Sequence, residues 1–363
     1  MNNMNQIFAF ATSFFLATVF TPLIIMLYTK RGWLDDPRKS SHPKVIHTKP
    51  IPRGGGLVIF FAILVAAFAF LPMDKHIIGI LLSAGCITLL GFLDDIKDLN
   101  PYLRLPLLFA AALVVVGAGV GIAYVSNPFG TGVIHLDQPR LTLDLFGKTR
   151  SIWILADIFA LAWIVWNMTI VNWSKGVDGQ MPGFVGIASL VIAALSLRFS
   201  NDPAQLYVTT LALIVSGAFF GFLLWNMYPQ KIMAGYGAGT LAGFFLAVLS
   251  LLSGAKLATA LLVLAIPTID AVFVITRRIL RGKSPLWGDR GHLHHRLMDL
   301  GWGKRRIAVF YWLSTAVLGL AALQLNSQQK LYTILGVALL FGGFVTWITL
   351  FFSYSKRLVR DNG

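Results

Sequence analysis

Runs of apolar residues about 20 long recur along this chain, the length an α-helix needs to cross a hydrocarbon layer roughly 30 Å thick. Eleven can be marked: Ile7–Tyr28, Gly55–Met73, Ile77–Leu93, Leu105–Val125, Ile152–Met168, Phe184–Leu197, Leu206–Met227, Thr240–Ser253, Leu257–Ile275, Ile307–Leu325 and Leu331–Phe352. The pattern predicts an all-α polytopic membrane protein, one domain over 1–363 with about 11 transmembrane helices. The first run follows an uncharged Met-Asn-Asn-Met-Asn-Gln and exceeds a secretory h-region in length, so it reads as an anchor. One stretch departs from the helical pattern. From Ser126 to Arg150, apolar and polar residues alternate around Val133–Leu136 and Leu141–Leu145, which predicts a small β-hairpin over 126–150.

Charge then orients the chain. Of its 30 Lys and Arg, 23 fall after the odd-numbered runs and in the C-terminal tail. Basic residues in short loops stay on the cytoplasmic side. This puts the N-terminus outside, the C-terminus in the cytoplasm, the hairpin on the outer face and the longest cytoplasmic loop at 276–306. With 56% hydrophobic and 12% charged residues, the net charge of +15 is gathered into short loops. No nucleic-acid partner is therefore expected; the lipid bilayer is. All fifteen acidic residues are Asp, and nine lie in the cytoplasmic segments, a bias that membrane orientation does not require. The one cysteine, Cys86, sits within an apolar run, which excludes an intramolecular disulfide.

The inner loops carry the candidate chemistry. The first holds Asp35-Asp36-Pro37, His42, His47, Lys49 and Arg53 ahead of Gly54-Gly55-Gly56. Basic side chains beside a glycine turn suit a phosphate cradle, and anchoring against anionic lipid is the alternative. Asp94 and Asp95 end the third run, with Lys97 and Asp98 one turn on; adjacent carboxylates there need a cation or a metal to offset their repulsion. Asn172, Lys175 and Asp178 share a Gly-rich turn, where Asp178 could equally be a helix cap. Asn226 precedes Gly235-Tyr236-Gly237-Ala238-Gly239-Thr240, a flexible turn whose backbone N–H groups could meet an anion or simply pack. In the last inner loop come Asp289-Arg290-Gly291-His292-Leu293-His294-His295-Arg296. No Cys or Glu accompanies these histidines, so they suit pyrophosphate contacts better than zinc.

Taken in order, these motifs resemble the polyprenyl-phosphate N-acetylhexosamine-1-phosphate transferases, to which the phospho-N-acetylmuramoyl-pentapeptide transferases are related. The matches are Asp36-Pro37 through His42 to Gly54-Gly55-Gly56, Gly91-Phe92-Leu93-Asp94-Asp95 with Lys97-Asp98-Leu99, Asn172 with Asp178-Gly179, Trp225-Asn226 with Pro229, Pro267 with Asp270, and the histidine block. The resemblance implies transfer of a sugar 1-phosphate from a UDP-sugar to undecaprenyl phosphate, releasing UMP, in the bacterial cytoplasmic membrane with the active site on its inner side. It implies Mg²⁺ on Asp95 and Asp178, and catalysis by Asp94, Asp95 and Asp178. It also implies substrate contacts from Lys97, Asn172, Lys175, Asn226, His292, His294, His295, Arg296, His42 and Lys49. A homodimer stays open.

Three positions in two motifs depart from the family pattern. Tyr236 stands where the resemblance expects a magnesium-binding Asp, and in the Asn172–Gly183 loop Lys175 replaces an Asn and Met181 an Asp. Two carboxylates lost and one ammonium gained favour a divalent cation less. Two further readings follow: a member that binds lipid phosphate or nucleotide without turnover, and a transporter of an anionic substrate, for which Asp157 and Asp270 would be the ionisable residues within spans.

Overall fold

The structure is a computed structural model that describes residues 3–39, 47–127, 130, 132–145, 148–253, 257–285 and 290–361. Thirteen α-helices dominate the described residues: α1 (Asn3–Arg31), α2 (Gly55–Phe70), α3 (Lys75–Lys97), α4 (Pro101–Gly117), α5 (Ile154–Trp173), α6 (Gln180–Ser196), α7 (Pro203–Asn226), α8 (Gly235–Leu252), α9 (Leu257–Val263), α10 (Ala265–Leu280), α11 (Leu293–Asp299), α12 (Lys304–Gln324) and α13 (Ser327–Asp361). Eight of these are long and apolar enough to cross a membrane, α2 and α4 are shorter apolar helices, and α9 with α10 forms a pair bent by 80°. Each of the eleven apolar runs thus corresponds to one helix or to the bent pair.

Large apolar side chains stay exposed along the outer helices, among them Phe15, Phe68, Leu89, Leu113, Leu320 and Leu339. Such continuous apolar surface belongs against lipid. Helix α8 is the opposite case. It is buried at every residue from Gly235 to Leu251, packed against α2, α3, α5 and α6, and it reads as hydrophobic all round because no face meets solvent or lipid.

Three details differ from the sequence reading. The run Leu257–Ile275 is broken at Leu264. Pro267 has no N–H to bond the carbonyl of Val263 four residues earlier, and its ring crowds that position, so a straight helix cannot pass through. The Val263 carbonyl accepts instead from Thr315 Oγ1, at 3.3 Å. The segment expected to form one hairpin makes two strand pairs. Strand β3 (Tyr124–Ser126) pairs with β4 (Val133–His135), and β5 (Arg140–Leu145) with β6 (Lys148–Trp153). Pro139 between them cannot donate to a ladder, which separates the two alternating stretches. Finally α8 begins at Gly235, where a flexible turn running to Thr240 was expected. The earlier strands β1 (Leu34–Asp35) and β2 (Ile51–Pro52) form a short antiparallel clip just before α2.

Candidate active site

The site is built where α3 ends and α8 begins. Adding a Cβ to Gly91 would place it 2.2 Å from the Gly237 Cα, so only glycine lets the two helices touch one turn before Asp95. At the C-terminus of α3, unpaired carbonyls already carry partial negative charge, and Asp94 and Asp95 add to it. Three cations answer. Arg104 of α4 reaches Asp94 Oδ1 at 2.6 Å and Asp98 at 2.8 Å. Lys175 lies close enough to attract both Asp94 and Asp95, and the Arg53 charge also favours ionised Asp95. The turn that presents Arg104 is tight: Asp98 caps α3 in the left-handed region (φ 48°), and Asn100 caps α4 by accepting from the Tyr102 N–H.

Asp95 has a second task. Its Oδ1 accepts from the Tyr236 N–H at 2.7 Å, while Ala234 at the helix start offers no side-chain cap. A carboxylate from α3 thereby satisfies an orphan donor at the positive end of α8. Gly235 makes this approach at φ 68°, and a side chain there would strike Asp95. The backbone N–H that the sequence reading offered to an anionic ligand is taken by this carboxylate.

The loop from α5 to α6 adds Asn172 and Lys175. The Lys175 Nζ donates to the Gly235 carbonyl and lies 5.7 Å from the centroid of the Tyr236 ring, over which Arg104 also sits at 5.0 Å. Desolvation in this crowded cavity pushes the Lys175 ammonium below the ordinary lysine range, and Asp95 and Asp94 pull it part of the way back.

The histidine block lines the same cavity. His292, His294 and His295 are all buried, with ring centroids 5.7 Å apart for the first two and 4.3 Å for the second two. His294 fits because residue 176 is glycine: a Cβ there would lie 1.9 Å from His294 Nε2. Asp270 of α10 accepts from His292 Nδ1 at 2.8 Å and from the Leu293 N–H at 2.7 Å. Trp173 packs against the His292 ring with centroids 5.7 Å apart and the planes tilted by 53°, and the Arg278 guanidinium covers Trp173.

These groups line a cavity of about 720 Å³ that continues past Pro101 to the apolar Leu105 and Leu108 of α4. Asp94, Asp95, Asn172, Lys175, Asn226, His292, His294 and His295 of the expected residues line it. Asn226 does so with its polar atoms committed, accepting from the Gly179 N–H and donating to Gln230 and the Ile232 carbonyl, so it shapes the loop before α8. Asp178 lies behind that loop, accepting from Lys304 at 3.1 Å and the Gln230 N–H at 3.2 Å. Arg296 spends its guanidinium on the carbonyls of Gly291 and Val345. Lys97 and Lys49 are exposed outside the cavity lining, and His42 and Asp289 fall outside the described residues. Lining residues outside the expected catalytic and substrate contacts include Asp35, His47 and Arg53, from the loop offered as a phosphate cradle, and Arg104. The first three are gathered by the β1–β2 clip: Arg53 Nε donates to Asp35 at 2.9 Å, and His47 approaches the Asp35 carbonyl at 3.2 Å. Their place in the Asp35–Gly56 motif was the available signal. Arg104 had only its spacing of six from Asp98.

Residues 77–254 match the family described as Glycosyl transferase family 4, a segment running from α3 to the end of α8 and so including both halves of the carboxylate site. That segment belongs to glycosyl transferase family 4. Among the relatives of the whole chain is a probable undecaprenyl-phosphate N-acetylglucosaminyl 1-phosphate transferase of Bacillus subtilis (strain 168), 26% identical over 98% of this chain and 97% of the relative. A decaprenyl-phosphate N-acetylglucosaminephosphotransferase of Mycolicibacterium smegmatis is 27% identical over 84% of this chain and 80% of its own. A phospho-N-acetylmuramoyl-pentapeptide-transferase of Streptomyces avermitilis is 28% identical over 85% and 94%.

A divalent cation is the general expectation for phosphotransferases of this family, yet the donors of this chain do not fit one held by Asp95 and Asp178. Asp95 accepts from the Tyr236 N–H and feels the Lys175 charge, Asp178 is paired with Lys304, and of the two only Asp95 faces the cavity. Among the described residues, no three His, Cys, Asp or Glu side chains converge as a metal site. The transporter reading is not favoured, since Asp157 accepts from the Trp153 N–H at the start of α5 and Asp270 holds His292.

Proposed function

We propose that this protein is a glycosyl transferase family 4 member that transfers an N-acetylhexosamine 1-phosphate from a UDP-sugar to a polyprenyl phosphate, with undecaprenyl phosphate as acceptor. The reaction would be a first membrane step in making a cell-envelope polysaccharide. The observation that carries the reading is one cavity holding adjacent carboxylates, three cations and three histidines, and continuing onto the apolar face of a helix. A lipid phosphate and a sugar nucleotide need that combination: apolar surface for the chain, positive charge for the phosphates, and buried donors for the leaving group.

An oxygen of the lipid phosphate attacks the sugar-bearing phosphorus of the UDP-sugar. The bond from that phosphorus to the bridging oxygen breaks, and UMP leaves with that oxygen and its electron pair. Asp94 is committed to Arg104, so Asp95 is the carboxylate placed to take the proton of the incoming phosphate monoester. Arg53, Arg104 and Lys175 offset the charge that gathers as two phosphate groups approach. His292, its Nδ1 held by Asp270, keeps Nε2 for the departing UMP. The basic loops favour the cytoplasmic side of the bacterial cell membrane, where the nucleotide is soluble and the lipid arrives laterally.

The test is UMP release by purified protein in detergent, given undecaprenyl phosphate and UDP-N-acetylglucosamine, with Asp95→Ala as the comparison. Release in the wild type and its loss in Asp95→Ala support the reading. Nucleotide binding without release from any UDP-hexosamine would leave a binding protein in its place.

A further inference from the structure

The misfit between the donor set and a divalent cation has a structural counterpart. Every carboxylate near the start of α8 already has its own fixed partner. Asp94 is held by Arg104 at 2.6 Å and by the Leu99 N–H, and Asp95 by the Tyr236 N–H. Between them comes Lys175, anchored by its bond to the Gly235 carbonyl. The Tyr236 ring has both Lys175 and Arg104 over it, at 5.7 and 5.0 Å, an arrangement that favours cations on both accounts. A tyrosine at this position supplies a cation-attracting face and no carboxylate oxygen, while Met181, buried and also lining the cavity, supplies no donor of the kind Mg²⁺ takes.

We propose that the Lys175 ammonium, held between Asp95, the Gly235 carbonyl and the Tyr236 ring and seconded by Arg104, is the built-in cation for a nucleoside diphosphate in this cavity, so that the diphosphate is bound, and its sugar 1-phosphate passed to the acceptor with release of UMP, without a divalent metal. An ammonium presents three donors as a compact charge, and a guanidinium adds a planar fork; together they neutralise a pyrophosphate without displacing the partners that Asp94 and Asp95 already have. The two replaced carboxylates and the gained lysine are then one change and not three: each removes a metal donor or adds the charge that stands in for the metal. The inference rests on the transferase reading only for the transfer step, because diphosphate binding can be measured by itself.

The experiment is titration calorimetry of the full-length protein in detergent with UDP as the probe, once with magnesium chloride and once with EDTA. It is paired with UMP release under the same two conditions. The expected result is equal UDP affinity in both, with Lys175→Ala weakening it by about ten- to a hundredfold, as loss of a charge-assisted contact does, and Lys175→Arg retaining most of it. Wild-type affinity that drops about tenfold or more in EDTA overturns the proposal, and this comparison needs no variant that could misfold. UDP binding that ignores EDTA, without UMP release from any UDP-sugar, keeps the built-in cation and removes the transferase reading. Failure to bind UDP under either condition overturns both.

Discussion

Asp270 Oδ2 and His292 Nδ1 lie 2.8 Å apart, both side chains almost wholly buried, although 22 positions separate them in the chain. A carboxylate can only accept, so the Nδ1–H donates and the imidazole turns Nε2 to the cavity. Asp270 also accepts from the Leu293 N–H, which fixes the start of α11 relative to α10. Asp270→Asn keeps the size and loses the directed charge. UMP release should fall by on the order of a hundredfold, the scale of a mispositioned proton donor, with little change in KM. Kinetics with a thermal melt as folding control decide it; unchanged turnover would show that the orientation of His292 does not matter.

Arg104 is the counter-ion of a buried carboxylate. Asp94 is 4% exposed, and removing its partner leaves a charge that water cannot reach. Arg104→Ala should cost about 3 kcal/mol, typical of a broken buried pair. Adding Asp94→Asn to Arg104→Ala should recover part of that loss, since the stranded charge is then gone. Thermal unfolding of the two variants in detergent reads the difference, and an Arg104→Ala protein as stable as wild type would contradict it.

The contact between Gly91 and Gly237 sets how close α3 and α8 can lie. Gly91→Ala places a methyl 2.2 Å from the Gly237 Cα, which backbone must yield to. The expected cost is about 1–3 kcal/mol of overpacking, together with a weaker bond from Asp95 to the Tyr236 N–H. Melting temperature and UMP release should fall together, whereas Gly85→Ala, where the nearest atom is 3.5 Å away, should leave both near wild type.

The lowered pKa of Lys175 makes the site sensitive to alkali. A depressed pKa means that the ammonium loses its proton at a lower pH than an ordinary lysine, so the cavity loses positive charge as pH rises. UDP affinity and turnover should therefore decline on the alkaline side before free lysine titrates. Lys175→Arg, whose guanidinium stays charged, should abolish that limb. A pH profile of UDP binding for both proteins checks the sign.

Much of the site was legible because its residues occur in motifs with local spacing: Asp94-Asp95, Asn172 with Lys175, and His292 with His294 and His295 all reach one cavity. What misled was identity without direction. Lys97 follows Asp94 by three residues yet is exposed, and Asp178 looked like a site carboxylate yet pairs with Lys304, which is 126 positions away. Arg296 belongs to the histidine block by sequence and to the α13 contact by geometry.

Sequence alone determined the helical membrane architecture, since runs of apolar residues long enough to span a bilayer have few other stable fates. It also offered the residue types that line the cavity, with Lys175 as a cation and Met181 and Tyr236 without carboxylates. Tertiary structure decided who partners whom: Arg104 with Asp94, Asp95 with the first turn of α8, Asp270 with His292, and Lys175 with Tyr236. Those pairings join helices far apart in the chain. They depend on helix rotation and on approaches of a few ångströms, at Gly91 and Gly176 above all, which hydrophobic periodicity does not encode.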